Sequence, residues 1–190
     1  MSQFLGFGWR VLVLPARVFC ICLLVVTSAA AQDTPAVKQA EAACGSFRQS
    51  FRVDTSGAAN VLAPAQAGKV QVYVIEDWDP IDGGRINRPT VRVGMDGHWM
   101  GATQSDSYLY FSADPGQHHL CVNWKSGAGT VKNLVALFEL DAKPDQTCYF
   151  RAGFTRVEGI DFTLRFAPLN SDEARLLPGQ YPRARWSVKK

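Results

Sequence analysis

The sequence predicts an all-β domain, an immunoglobulin-like antiparallel two-sheet sandwich of about seven to eight strands with short helical turns near its N- and C-terminal ends. Two observations carry this prediction. Short apolar runs, several of which alternate with a period of two, are separated by clusters of Gly, Pro, Asn and Asp about every eight to twelve residues. No apolar run with helical spacing lies between them.

The clearest turn signal is Asp96-Gly97, the dipeptide that best fits a two-residue type I′ turn. The flanking runs, Thr90 to Met95 and His98 to Thr103, are therefore predicted to form a hairpin. The loop length also predicts the register, with Met95 opposite His98, Gly94 opposite Trp99 and Val93 opposite Met100. This register turns Trp99 away from the apolar face of the hairpin and places it beside Arg92.

A second turn, Asp114-Pro115-Gly116-Gln117, precedes the central strand of the domain, His118 to Trp124. Pro presets φ at the second turn position and Gly accepts a positive φ after it, so the chain should reverse sharply here. Leu120, Val122 and Trp124 point to one face of the strand, and we expect this tryptophan to pack in the core. Cys121 points to the other face with His119 and Asn123.

The other strands are placed on both sides of this centre. The pattern predicts that Val70 to Glu76 is buried on both faces, that Leu134 to Leu140 is interior and that Asp161 to Phe166 is half-buried. Further strands are predicted at Ser107 to Ser112 and Thr147 to Phe154.

The first 31 residues resemble a secretory signal peptide. Arg10 and Arg17 flank an apolar start, Val18 to Val26 is uninterrupted, and Ala29-Ala30-Ala31 fits a cleavage site. The run is shorter than the roughly 20 residues that a bilayer requires, so we expect an exported protein, periplasmic or extracellular, with no transmembrane segment after cleavage. The alternative is an uncleaved helix that anchors the chain.

Three parts follow the leader. Residues 32–67 are predicted to form a short helix from Ala36 to Ala43 and a linker that packs loosely or drapes over the domain. A possible short strand lies at Phe47 to Val53. Residues 68–168 form the sandwich, and residues 169–190 form a helical turn capped near Asn170 and a basic tail.

The charge balance argues against nucleic-acid binding. The chain has 20 basic and 17 acidic residues, and Arg10 and Arg17 leave with the leader. The remaining basic excess sits at the C-terminal end, whereas a nucleic-acid-binding face needs clustered basic residues.

Three cysteines remain after cleavage, Cys44, Cys121 and Cys148. An oxidising compartment favours a disulfide between two of them. Cys121 and Cys148 lie on strands of one domain and form the first candidate pair. Cys44 and Cys121 form the second, which the strand parity favours, because Cys121 points to a face that an N-terminal segment can cover.

The chain resembles the exported bacterial domains of domain-of-unknown-function family 2846. The resemblance covers about Gly68 to Phe154 and rests on Gly68 to Ile75, Pro89 to Gly97 with Trp99 and Gly101-Ala102, Ser107-Tyr108, Pro115 to Cys121, and Tyr149-Phe150-Arg151. It implies a small exported β-sandwich and brings no assigned activity or catalytic residues. An aromatic residue is expected in that family at the position of Cys148, which weakens the pairing of Cys121 with Cys148.

The residues indicate no enzyme and no cofactor. The chain has three His and no Gly-x-Ser-x-Gly elbow. His118 and His119 project to opposite faces of a strand, so they cannot share one metal ion, whereas His119 and Cys121 share a face and leave a thiol- or metal-dependent protein as an alternative.

The aromatic residues indicate a binding surface. Trp99, with Arg92 beside it and Tyr108 as a further aromatic, is the predicted contact site, unless the segment around Phe47 to Val53 covers it. The leading hypothesis is a non-catalytic interaction module of the cell envelope that binds an unidentified protein or glycan. A carbohydrate-binding domain that uses surface aromatics is the alternative.

Overall fold

The computed structural model describes residues 35–57, 62, 66–77, 89–125, 133–156 and 162–190, and the predicted signal peptide at 1–31 lies outside them. The chain divides into two units, Met1–Gln32 and Asp33–Lys190, and all described residues belong to the second. That unit is all-β, as predicted. Its elements in chain order are α1 (Pro35–Cys44), β1 (Phe51–Asp54), β2 (Val70–Glu76), β3 (Thr90–Met95), β4 (His98–Gln104), β5 (Ser107–Ala113), β6 (Gly116–Lys125), β7 (Asn133–Ala142), β8 (Thr147–Arg156), β9 (Phe162–Pro168), α2 (Ser171–Gln180) and β10 (Arg185–Val188).

The described strands form three sheets. Two have four strands, in the orders β5-β2-β8-β9 and β4-β3-β6-β7, and the third pairs β1 with β10. The prediction of a wholly antiparallel arrangement of seven to eight strands is wrong in two respects. β2 and β8 are parallel, and the described residues contain ten strands because both ends of the domain add one.

The two four-stranded sheets share one apolar core. Val72 and Phe150 contribute from one sheet, and Val93, Val122 and Trp124 contribute from the other. The core position predicted for Trp124 is therefore confirmed, and its ring packs edge-on against Phe154 with centroids 4.9 Å apart. The parity of β6 thus leaves Cys121 and Asn123 on the outer face of its sheet.

Burial along the strands matches the pattern in two of three cases. β2 is buried along its whole length, as predicted. Leu164 and Phe166 of β9 are buried while Thr163 and Arg165 are exposed, which confirms a half-buried strand. The interior position expected for β7 is wrong, because β7 is an edge strand whose Leu137 is exposed.

The Asp96-Gly97 hairpin is confirmed, with positive φ at Asp96 (50°) and at Gly97 (80°). Gly94 pairs with Trp99, and Met95 pairs with His98, as predicted. The register then shifts between Val93 and Gly94, so Val93 faces Gly101 and the pairing with Met100 is wrong. The reason is a β-bulge, which places two residues of one strand opposite one of the other.

The turn before β6 joins different sheets. β5 ends at Ala113 on one four-stranded sheet, and β6 begins at Gly116 on the other. Gly116 has the positive φ expected of it, 137°. The connection is therefore a crossing between the two layers.

Both ends of the described chain pack on the domain. α1 confirms the predicted N-terminal helix, and α2 is longer than the predicted turn but is capped as expected, with the Asn170 side chain accepting from the backbone N–H groups of Asp172 and Glu173. None of the described helices is long and apolar enough to cross a membrane.

Candidate functional site

A disulfide fixes the N-terminal segment to the outer face of β6. Cys44, the last residue of α1, is bonded to Cys121 with a Cα–Cα distance of 5.1 Å, and both are fully buried. The strand parity predicted this pair. The first candidate pair, Cys121 with Cys148, is wrong because Cys148 lies on the other sheet, where its free thiol is buried in the shared core. Burial raises the pKa of the Cys148 thiol.

The segment after Cys44 covers Trp99. The indole Nε1 donates a hydrogen bond to the Ser46 carbonyl at 2.9 Å, and the rings of Phe47 and Phe51 lie 6.2 and 6.3 Å from the Trp99 ring. Close approach is possible because Gly94 lies beneath, where a Cβ would overlap the backbone of Cys44. Trp99 is therefore half-buried within its own chain, and the contact surface predicted there is closed.

Arg92 is buried and holds this segment in place. Its guanidinium donates from Nη1 to the carbonyls of Phe47 (3.1 Å) and Gln49 (2.6 Å) and from Nε and Nη2 to Oδ1 of Asn123. It also stacks on the Trp99 ring at 4.7 Å from the centroid. Desolvation lowers the pKa of Arg92 to about 10, and the nearby charge of Glu41 opposes this shift. Because this pKa is still well above 7, Arg92 stays charged at neutral pH. The buried guanidinium is thus engaged within its own chain, and the binding role predicted for Arg92 stays a prediction.

Tyr108 does not join this cluster. It lies on β5 in the other four-stranded sheet, fully buried, and packs with Tyr73, Ile75 and Leu177 of α2. The structure therefore brings Trp99 and Arg92 together as predicted, but it separates them from Tyr108. None of the three forms an open surface.

The contacts of the histidines differ from those that a metal site would need. His118 Nδ1 lies 2.6 Å from Asp96 Oδ2, and Nε2 lies 2.8 Å from the Asp114 carbonyl oxygen. Desolvation alone would lower the pKa of His118, but these two oxygens and the charges of Asp96 and Asp114 outweigh it and raise the pKa. The Cys121 sulfur is in the disulfide, so it offers no free thiol beside His119. No group of three or more His, Cys, Asp or Glu in the described part of the chain is placed to hold a metal.

Glu76 is a buried carboxyl that joins the two layers. It ends β2 on one sheet, and its Oε1 accepts from the backbone N–H of Ser105, which follows β4 of the other sheet, at 3.0 Å. Desolvation raises the pKa of Glu76 to about 8, and the negative charge of Asp106 raises it further. Hydrogen bonds from Thr103 and Ser105 oppose this rise. The group is therefore mostly protonated at neutral pH.

The open aromatic surface lies on β10, where no strand was predicted, and the partner strand β1 overlaps the possible strand predicted at Phe47 to Val53. β1 and β10 form a two-stranded sheet, which we call the ribbon, and it packs on β4. Trp186 is 41% exposed and Val188 is 47% exposed. The two side chains share one face of β10, and we call them the ribbon tip. The alternation of Arg185-Trp186-Ser187-Val188 is a sequence signal for this strand, but it spans only four residues.

Trp186, one of the two residues of the ribbon tip, packs against its neighbours. The Trp186 indole lies over Gly101, where a Cβ would overlap it. Its ring also packs edge-on against Phe51, with centroids 5.5 Å apart. Trp186 is thus partly anchored in the same aromatic cluster that covers Trp99, and the rest of its surface faces outward.

The ribbon is basic. Residues 45–57 and 185–190 contain one acidic residue, Asp54, and five exposed basic residues, which are Arg48, Arg52, Arg185, Lys189 and Lys190. Arg185 pairs with Asp54 at 2.7 Å. Hydrogen bonds from Ser56 and then from Arg185 lower the pKa of Asp54 to about 2, so the pair is ionised at neutral pH. The other four basic residues form no ion pair with a described residue.

Compared with protein-family models, curated proteins and solved structures, the chain shows no significant match. The resemblance to domain-of-unknown-function family 2846 therefore stays a prediction from its motifs.

Proposed function

We propose that this protein is an exported, non-catalytic binding module of the cell envelope whose contact surface is the ribbon tip. The observation that carries the proposal is the exposure of Trp186 and Val188 on a strand that is otherwise anchored to the sandwich. Large apolar residues exposed together on a rigid surface mark interaction sites more often than chance exposure does. Trp is also among the residues that contribute most to binding.

Export is supported by the disulfide between Cys44 and Cys121, since structural disulfides persist in oxidising compartments. The leader-like residues 1–31 and the resemblance to an exported family support the same conclusion.

We also propose that the sandwich is immunoglobulin-like. The orders β4-β3-β6-β7 and β5-β2 match strands C′CFG and EB of that fold. β8 lies beside β2, where strand A would lie, but it runs parallel to β2. An immunoglobulin-like sandwich commonly presents its edges and loops to partners, which fits a contact surface on the ribbon that packs on the edge strand β4.

The experiment is retention of the purified protein on envelope preparations of a host that exports it, measured by sedimentation. Wild type is expected to sediment with the envelope, and Trp186→Ala is expected to lose most of this retention. Leu176→Ala is the matched control, because Leu176 is 57% exposed on α2, outside the ribbon. Equal retention of all three proteins, or retention of none, contradicts the proposal.

A glycan-binding alternative is favoured by a row of tyrosines on the outer face of the other sheet. Tyr110, Tyr73 and Tyr149 stand side by side on β5, β2 and β8, with centroid distances from Tyr73 of 5.4 and 5.0 Å. The Nε2 of Gln71, buried on the same face, has no hydrogen-bond partner in the described part of the chain. Aromatic rings beside an amide donor suit a sugar ring. Tyr73 is buried and the Arg183 guanidinium lies over the Tyr110 ring, so a sugar would contact the half-buried Tyr110 and Tyr149. A glycan array with wild type and Tyr110→Ala tests this alternative, and equal binding by both removes it.

A further inference from the structure

We infer that the ribbon docks this protein onto an anionic phospholipid surface, with Trp186 and Val188 at the lipid interface and Arg48, Arg52, Lys189 and Lys190 near the headgroups. The inference rests on the proposed binding function and names the chemistry of its partner.

The apolar part of the surface suits a lipid interface. Trp has an apolar body and one N–H donor, a combination that is enriched where proteins meet the boundary of a bilayer. Trp186 is already immobilised against Gly101 and Phe51, so its docking costs little side-chain entropy. Val188, two residues further along the same face, adds aliphatic surface beside it.

The charge of the ribbon favours an anionic partner. Arg185 is neutralised by Asp54, which leaves Arg48, Arg52, Lys189 and Lys190 as exposed positive charges. Lys189 and Lys190 follow Val188 directly in the chain. Arg52 lies on β1, on the face of the ribbon opposite to the ribbon tip, and Arg48 lies three residues before β1. Long basic side chains can place their charges at headgroup level while their methylene stems lie against apolar surface. The same patch would be repelled by a cationic partner and would gain little from a neutral one.

The combination of exposed apolar residues and positive charge favours a lipid surface over a saccharide as the partner. A saccharide site needs hydrogen-bonding groups around its aromatic ring, whereas the residue that extends this exposed face is the aliphatic Val188. Stable membrane attachment, in contrast, takes two weak signals together, such as an apolar insertion and a basic patch. The ribbon and the residues next to it in the chain supply both.

Flotation with vesicles tests the inference. We use the purified full chain with vesicles of phosphatidylcholine alone and with vesicles that contain phosphatidylglycerol, at low and high salt. Wild type is expected to float with the anionic vesicles at least about tenfold more strongly than with the neutral ones, and high salt should weaken this binding. Trp186→Ala and Lys189→Gln/Lys190→Gln should each reduce it several-fold, whereas Leu176→Ala should bind like wild type.

The possible outcomes separate this inference from the proposed function. Equal binding to neutral and anionic vesicles, or equal loss in Leu176→Ala, overturns the lipid inference. If envelope retention depends on Trp186 but no vesicle is bound, the proposed function stands and the partner is a protein or a glycan. Val188→Ser provides a second variant if Trp186→Ala unfolds, with thermal melting of each variant as the check on folding.

Discussion

The indole of Trp99 donates a hydrogen bond to the carbonyl of Ser46, and with this contact the N-terminal segment closes over the β3–β4 hairpin. The segment is held on three sides, by the disulfide at Cys44, by Arg92 at Phe47 and Gln49, and by the pairing of β1 with β10. A residue that would otherwise be an exposed aromatic is therefore half-buried in an aromatic cluster with Phe47 and Phe51. The outward-facing aromatic of this region is Trp186.

Gly94→Ala tests the close approach of this segment. A Cβ at Gly94 would overlap the backbone of Cys44, which cannot move away without breaking contacts on both sides. We expect a loss of roughly 2 kcal/mol or more in unfolding free energy, as for overpacking of a tight site. Gly179→Ala is the control, since its Cβ would meet open space on α2. Equal urea denaturation midpoints for the two variants would show that the segment does not lie over Gly94.

The pairing of Cys44 with Cys121 determines how Cys44, Cys121 and Cys148 should react with an alkylating reagent. In the native protein without reductant, alkylation should spare Cys44 and Cys121, and Cys148 should react only after unfolding because its thiol is buried. Cys44→Ser should cost about 2–4 kcal/mol, the usual range for loss of a disulfide. Mass spectrometry of alkylated peptides provides the measurement. Labelling of Cys44 in the absence of reductant contradicts the pairing.

Glu76 predicts that stability depends on pH. Its pKa is raised from 4.5 to about 8 in the folded protein, so its contribution is fully present below about 4.5 and is lost as pH rises through about 8. The free energy of unfolding should fall between pH 5 and 9 by a few kcal/mol, on the order that such a shift implies. Glu76→Gln keeps a neutral side chain that can accept from Ser105 and should remove most of this dependence. A dependence unchanged in Glu76→Gln would assign it to another group.

The Asp96 carboxylate raises the pKa of His118. This pKa can be measured by NMR titration of the imidazole protons. Because both ring nitrogens face oxygen atoms, the protonated ring is the better-satisfied form. We expect a pKa above 6.5 in wild type and a clear drop in Asp96→Asn. The stability that this contact adds is present below pH 6.5 and is lost as pH rises through the folded-state pKa. An identical titration of His118 in both proteins would contradict the assignment.

Local signals predicted the elements that depend on neighbouring residues. The Asp96-Gly97 turn, the doubly buried strand β2 and the parity of Cys121 each follow from a few adjacent side chains, and all three are confirmed. The bulge beyond Gly94, the parallel pairing of β2 with β8 and the ribbon depend on contacts between distant segments. No local pattern specifies these features. A two-residue turn sets the register of a hairpin only until a bulge intervenes, and the two pairings join segments that are far apart in the sequence.

The candidate site illustrates the same limit. Hairpin parity placed Trp99 correctly on the outer face, beside Arg92, but it could not show what lies above that face. The covering residues are distant in the sequence: Ser46 is 53 positions from Trp99, and Phe47 is 45 positions from Arg92. Trp186 was missed because four residues in a basic, Pro-containing stretch are too few for a confident strand.

The central claim is that Trp99 supports the fold and Trp186 supports binding. Thermal melting and envelope retention of Trp99→Ala and Trp186→Ala, measured side by side, test it most directly. We expect Trp99→Ala to lose roughly 2–3 kcal/mol of stability, near the lower end for truncation of an aromatic, and to keep its retention at temperatures where it is folded. Trp186→Ala should lose most of its retention with a smaller change in stability. The reverse pattern, with binding lost in Trp99→Ala and kept in Trp186→Ala, would contradict the account.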